Sequence, residues 1–290
     1  MDAFYFPSMS YKDEGTANPH AAVFRHEVCT IATARRVAGM LDLEPDSVSA
    51  GEALPRGWQF VLMAADTRRS ALRGDGFPGL GVPMPDLGLP RLMLGGRTVS
   101  FRRDIPIGAA VLRTSAVQSV VQKATETGPM AVVTLLHELR LGEQSEPALR
   151  ETQTYLLLSP RKASPADIAS LLDPVAAEHV KTVVPDETLL FQYSALGFNS
   201  HRIHIDRDHA RQVEGFPDLV VNGGLVTLVL TEFLRRDLGV VPTSIKVRHL
   251  APLFCNRPVT LAADRLGERW RLKAFDDRNQ LAVDMEVDVA

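Results

Sequence analysis

The sequence predicts an α+β chain of two tandem units, each an antiparallel sheet closed around a buried helix. Three observations predict it. The length of 290 residues is natural for two domains of about 140 each. Two successive stretches carry the period-two pattern of strands, and one helical segment has no polar face. Hydrophobic residues at 45% and charged residues at 23% supply a sizeable core and argue against disorder.

Taken in order, the first twenty residues read as an irregular arm. A helix is expected over 30–42, where Thr30 can cap and Ile31, Ala34, Val37, Ala38 and Leu41 recur at helical spacing. A short second one is expected after Pro55, carrying Trp58, Phe60, Val61, Leu62 and Met63. Residues 73–96 hold seven glycines and four prolines, the composition of a long loop ordered by packing. Strands follow at Thr98–Arg103, Ala109–Gln122, Met130–Leu141 and Arg150–Leu158. Charge, Ser and Pro cluster over 159–182, with a helix expected at 166–172, and the two units are placed at 1–160 and 161–290.

The second unit repeats the outline. Thr188–Ser194 is read as extended, 195–214 as a polar loop with helical turns, and 223–236 as a helix. Strands are expected at 243–250, 257–264, 269–275 and 280–289. Val99-Ser-Phe101-Arg102-Arg103, then Pro106-Ile107, matches Ile245-Lys-Val247-Arg248-His249, then Pro252-Leu253, an internal echo that supports duplication. Leu225–Leu230 is apolar almost all round, so protein must surround that helix. A sheet wrapping one buried helix is the hot-dog arrangement, and two in one chain form a double hot dog whose halves cover each other's edges.

Composition excludes several classes. Lys and Arg total 32 against 35 Asp and Glu, leaving no basic excess for nucleic acid. Cys29 and Cys255 stand far apart, which excludes a disulfide framework and a zinc ribbon and fits a reducing, cytoplasmic compartment. No signal-like segment and no 18-residue apolar run is found, so a membrane is not expected as partner. The glycines of 74–81 are interrupted by Pro78 and lack a strand–turn–helix context, against a dinucleotide site. His201, His204, Asp206 and His209 lack the spacing of a metal set.

The most informative stretch is Tyr193-Ser-Ala-Leu-Gly197-Phe198-Asn199-Ser200-His201-Arg202-Ile203-His204-Ile205-Asp206. After it comes Glu214-Gly215-Phe216-Pro217-Asp218-Leu219-Val220-Val221-Asn222-Gly223-Gly224-Leu225. The first segment resembles the hydratase motif of the MaoC-like (R)-specific enoyl-thioester hydratases. It is closer to that of their two-domain relatives, the mesaconyl-C4-CoA and itaconyl-CoA hydratases and the mitochondrial-type 3-hydroxyacyl-thioester dehydratases. Leu54-Pro55-Arg56-Gly57-Trp58, Gly81-Val-Pro-Met84-Pro85, Leu89-Pro90-Arg91-Leu92-Met93 and Ala251-Pro252-Leu253-Phe254 with Arg257-Pro258 extend the similarity over most of the chain.

The resemblance implies a double hot-dog lyase that adds or removes water across C2–C3 of an enoyl or 3-hydroxyacyl thioester, on CoA or a carrier protein. No cofactor is implied, and the chain is expected as a monomer or homodimer. The motif implies the acid–base role for His204, whose imidazole ordinarily titrates near pH 6.5. Single-domain hydratases carry an aspartate where Asn199 stands; an amide is no base but can orient a water. Gly223 and Gly224 open the apolar helix, where free N–H groups and the helix dipole suit a thioester oxyanion, although close helix–sheet packing would demand the same glycines. Relatives generally have His-Gly here, so Asn222 departs from the pattern and bears on substrate identity. Arg202 and His201 are substrate-binding candidates because a C4 or C5 dicarboxylyl chain needs a cation, and Asn222 and Tyr193 complete the set. Two other readings of the same fold are an acyl-thioester-binding protein without turnover and a thioesterase or tailoring enzyme.

Overall fold

A computed structural model describes residues 22–84, 87–125, 128–142, 145–159 and 172–290. The expected arm, the helix over 166–172 apart from Leu172, and the boundary at 160/161 lie outside the described residues. The first half holds β1 (Val23–Val28), α1 (Ile31–Met40), β2 (Arg91–Phe101), β3 (Ala110–Thr125), β4 (Gly128–Arg140) and β5 (Leu149–Leu158). The second holds β6 (His179–Val183), α2 (Glu187–Leu196), α3 (Gly223–Glu232), β7 (Pro242–His249), β8 (Val259–Leu266), β9 (Arg269–Phe275) and β10 (Leu281–Val289).

The strands form one sheet in the order β1-β3-β4-β5-β2-β7-β10-β9-β8-β6, antiparallel at every pair. Each half therefore has its own first strand at the outer edge and its second at the seam, so the order repeats by a local twofold. At the seam Val99 pairs with Ile245. These two residues are equivalent in the sequence echo, so the local axis passes through their pair.

Thr30 caps α1 by accepting the Thr33 N–H at 3.1 Å. The expected extended stretch at 188–194 is instead helical. Asp186 accepts the Leu189 N–H at 2.8 Å, and Leu190, Tyr193 and Ser194 then share the buried face, a helical spacing that mean apolarity alone did not separate from a strand. The segment after Pro55 is a 3₁₀ turn, Trp58–Leu62. The expected loop at 73–96 yields to β2 from Arg91 onward. Gly96 serves close approach rather than a turn, because a Cβ there would stand 2.5 Å from the Val247 carbonyl oxygen across the seam. β1 and β6 are short edge strands that composition did not announce.

α3 packs on β9 and is buried around its circumference, including Leu225, Val226, Leu228 and Leu230. Its polar residues turn inward on the helix itself, with Thr227 and Thr231 donating to carbonyls one turn back. The halves are tied together by Trp58 Nε1, which donates to Glu232 of α3 at 2.8 Å, and by Phe60, which stacks on Tyr193 of α2 with centroids 4.7 Å apart. Among the described residues, the first half has no counterpart of α3. Phe77, Leu80 and the segment around Val82 and Leu87 pack on Val117, Val133, Leu135 and Leu157 instead, so a loop covers that half's sheet. No helix among the described residues is long and apolar enough to cross a membrane.

Gly96→Ala is expected to force β2 from β7 and lower the unfolding free energy by about 1–3 kcal/mol, the range for overpacking. The urea midpoint checks it; an unchanged midpoint would mean the seam has room for a methyl group.

Candidate active site

The site begins where α2 ends. Gly197 N–H donates to Tyr193 O at 3.0 Å and Asn199 N–H to Ser194 O at 2.8 Å, with Phe198 between them in the left-handed region at φ 48°. That conformation is costly for a bulky residue and turns the chain sharply. The Asn199 Oδ1 accepts the His201 N–H at 3.1 Å, which fixes the amide and leaves its amino group as donor. Asp75 of the glycine-rich loop braces the turn, accepting the Arg202 N–H on its backbone carbonyl at 2.8 Å with its carboxylate 3.6 Å from His201 Nε2.

A 3₁₀ turn, Arg202–His204, then places His204. Its Nδ1 lies 2.7 Å from the Val220 carbonyl, which can only accept, so Nδ1 carries the proton and Nε2 keeps the lone pair. Val220 N–H returns a bond to Ile203 O at 2.9 Å. Three residues beyond Val220 stands Gly223, a separation that cannot exceed roughly 11 Å between Cα atoms. The motif and the opening of α3 are thereby held side by side.

At that opening, the first helical bond runs from Val226 N–H to Asn222 O at 3.1 Å. The N–H groups of Gly223, Gly224 and Leu225 precede it and have no carbonyl one turn back. Asn222 caps without a side-chain bond to the helix; its amino group reaches Ser194 Oγ at 3.4 Å, and its Oδ1 is buried without a partner among the described residues. A Cβ on Gly223 would lie 3.2 Å from His249 Cε1 and 3.2 Å from Leu94 Cδ2. One on Gly224 would collide with the Tyr193 hydroxyl and stand 3.3 Å from Arg97 Nη2.

Tyr193, Asn199, His201, His204, Asn222, Gly223 and Gly224 all line one cavity of about 270 Å³, together with Phe77–Gly81 of the loop. Arg202 does not line it; the side chain is exposed and held by Asp206 at 2.7 Å. Arg97 of β2 and His249 of β7 line the cavity and were not among the residues singled out from the sequence. Strand parity carried a signal for Arg97, which shares its face with Val99 and Phe101. Among the described residues, no three His, Cys, Asp or Glu side chains converge as a metal site.

Burial dominates the electrostatics. It pulls His204 down to about 3, helped by the neighbouring His201 and opposed by the Val220 bond. Burial, then Arg73 and His209, pulls His201 to about 4; burial, then Arg97, pulls His249 to about 3. Burial pushes the Tyr193 phenol up against the pull of Arg97. Near neutrality these groups are uncharged, and Arg97 brings the positive charge beside Gly224. The arrangement can take a proton at His204 Nε2 and offer N–H donors to a developing oxyanion within the same cavity.

Gly224→Ala should favour the helix by intrinsic propensity, yet its methyl group would enter the turn against Tyr193. We expect kcat/KM to fall by roughly 10²–10³, the scale of a lost oxyanion donor. Steady-state kinetics on an enoyl thioester checks this, and wild-type rates in that variant would exclude the turn from the reaction.

The sequence profile of the hydroxyacyl-thioester dehydratase type 2 family matches residues 57–255. The chain is 35% identical over 246 residues to a mesaconyl-C(4)-CoA hydratase of Chloroflexus aurantiacus, covering 84% of this chain and 87% of that one. It is 23% identical over 248 residues to the mitochondrial hydroxyacyl-thioester dehydratase type 2 of Schizosaccharomyces pombe, covering 75% and 80%. Among solved structures, a MaoC-like dehydratase of Phytophthora capsici superposes with a TM-score of 0.66 at 14% identity, over 94% of this chain and 96% of that one. HtdX of Mycobacterium tuberculosis gives 0.64 at 16%, over 93% and 100%. A further M. tuberculosis protein described as a double hot dog gives 0.57 at 12%, over 93% and 96%. The ten-stranded sheet is that fold, and the chain belongs to the hydroxyacyl-thioester dehydratase type 2 family, hydro-lyases of acyl thioesters.

Proposed function

We propose that His204, Asn199 and the Gly223–Gly224 turn are the machinery by which this hydro-lyase adds water to, or removes it from, a short enoyl- or 3-hydroxyacyl-CoA. The observation that carries the reading is the tautomer of His204: Nδ1 is committed to Val220 O, and the lone pair on Nε2 belongs to a residue lining the cavity at the free end of α3. In the hydration direction Asn199 orients a water through its amide. Nε2 takes one proton as the oxygen bonds C3 and the π electrons move onto the thioester oxygen. The N–H groups of Gly223 and Gly224 receive the resulting enolate oxygen, assisted by the positive end of the helix. Nε2 then returns the proton to C2, so the elements of water add across the double bond and the imidazole ends neutral.

A base pulled down this far is a strong acid once protonated, which speeds the return step. The negative charge growing on the enolate raises its basicity when the proton must be accepted. The relative named mesaconyl-C(4)-CoA hydratase supports CoA as the carrier and a dicarboxylyl chain of that kind as the acyl group.

His204→Ala is expected to lower kcat/KM for enoyl-CoA hydration by about 10²–10⁴, the usual contribution of a general base. The melting temperature should shift by no more than about 5 °C. Loss of the conjugated-enoyl absorbance measures the rate; retained turnover would refute the assignment. Because His204 sits near 3 in the free protein, its neutral form persists well below the ordinary histidine range. The kcat/KM profile should therefore lack an acid limb near pH 6.5 and stay level from about pH 8 to about pH 5. A half-drop near pH 6.5 would place a solvated imidazole in control.

A further inference from the structure

The first half of the sheet brings Arg97, Arg113, His137, Gln153 and Tyr155 to the cavity wall beside Leu92, Met93 and Leu94. Arg113 and Ser115 of β3, His137 of β4, and Glu151 and Gln153 of β5 occupy inward positions and are buried. Glu151 is fully buried and takes Arg97 Nη1 at 3.2 Å and Gln153 Nε2 at 2.7 Å; Tyr155 in turn donates to Gln153 at 2.8 Å. Arg97 is only 9% exposed, and its Nε is buried without a partner among the described residues. A hydrocarbon tail lying on such a wall would desolvate these groups and satisfy none of them.

Three arginines line the cavity, each with a buried Nε that has no partner among the described residues, and their positions separate their roles. Arg91 faces Glu214 at 3.6 Å. Arg113 is engaged by Glu27 at 3.0 Å and by the Ala64 carbonyl at 3.3 Å. Arg97 stands at the oxyanion turn, with Nη2 3.3 Å from the place a Gly224 side chain would take. A group bound there must be anionic and close to the thioester carbonyl along the acyl chain. Arg202, the cation expected from the motif, is turned to solvent and held by Asp206.

We propose that Arg97 is the specificity-determining residue for the acyl group, its guanidinium receiving a carboxylate at the far end of a short acyl chain, with Glu151 as the positioning residue that aims it. The proposal rests on the reading of this cavity as the acyl-thioester site and adds the residue that chooses the acyl class. Glu151 holds Nη1, and the guanidinium lines the cavity with Nη2 beside the Gly224 turn. Selection then follows from the charge: an uncharged chain of equal length would lie against the guanidinium and desolvate it without pairing it.

The test compares binding of succinyl-CoA and butyryl-CoA by calorimetry. These saturated thioesters have chains of equal length and differ in the terminal carboxylate. The wild type is expected to bind succinyl-CoA about tenfold or more tightly, the scale of one charge-assisted hydrogen bond. Arg97→Met/Glu151→Gln removes both charges together, avoiding an uncompensated buried carboxylate; it should erase the preference while butyryl-CoA binding changes far less. Arg97→Lys, which keeps charge but not the planar fork, should retain part of the preference and serves alone if the double variant does not fold.

Equal binding of the two thioesters by the wild type overturns the proposal. So does an undiminished preference in either variant, or an equal loss of both ligands, which would make Arg97 a contact of the thioester itself. A wild type that prefers succinyl-CoA but hydrates no enoyl thioester refutes the catalytic reading and leaves this one standing. One that hydrates crotonyl-CoA and ignores the carboxylate does the reverse.

Discussion

A single hydrogen bond, from His204 Nδ1 to the Val220 carbonyl, fixes the arrangement on which the proposed chemistry rests. It decides which ring nitrogen carries the proton, and it fastens the motif after α2 to the strand-like segment that runs into Asn222 and α3. Without it the imidazole could present either nitrogen, and the distance from base to helix terminus would depend on two flexible loops. The bond is buried, where replacing it by water is costly. The same burial keeps the imidazole neutral, so tautomer, position and charge state have one physical origin.

The second organising feature is the inequality of the two halves. The strand order repeats around the Val99–Ile245 pair, but only the second half encloses a long apolar helix. In the first half a loop from Phe77 onward covers one part of the sheet, and another part is left to a cavity whose wall includes Arg97, Arg113, His137 and Gln153. A buried helix end and a buried ion pair, Arg97–Glu151, thus face the same space from opposite halves of the seam. Neither is suited to a folded core on its own: each leaves hydrogen-bonding capacity unmet away from bulk water. In the proposed reading, a thioester with its oxygen on the glycine turn and an anionic tail on the guanidinium would answer both.

Much of the fold could be read along the chain. α3 declared itself by lacking a polar face, α1 by Thr30 and its periodic apolar residues, and β8 to β10 by alternation between turn residues. α2 was missed because Leu189, Leu190, Phe191 and Tyr193 form a short apolar run that either element can bury; the deciding feature is the Asp186 cap. β2 was begun too late because Gly95 and Gly96 look like loop residues until another strand lies against them. Of the residues that line the cavity, His204, Asn199 and the two glycines sit on contiguous motifs and stand out in the sequence. Arg97, His249 and Asp75 come from other elements, and Arg202, which lies within the motif, does not line the cavity.

The chain alone determined what depends on neighbours a few residues apart: caps, periodicities, the duplicated strand pattern and the residues of the hydratase-like motif. Tertiary structure decided which side chains line the cavity, which nitrogen of His204 is free, and where a loop rather than a helix covers the sheet. Those outcomes depend on the pairing of β2 with β7 and on the return of Val220 to Ile203, contacts between residues far apart in sequence or across a loop. Local propensity carries no information about such distances, because side chains meet there only after the sheet has closed and excluded water.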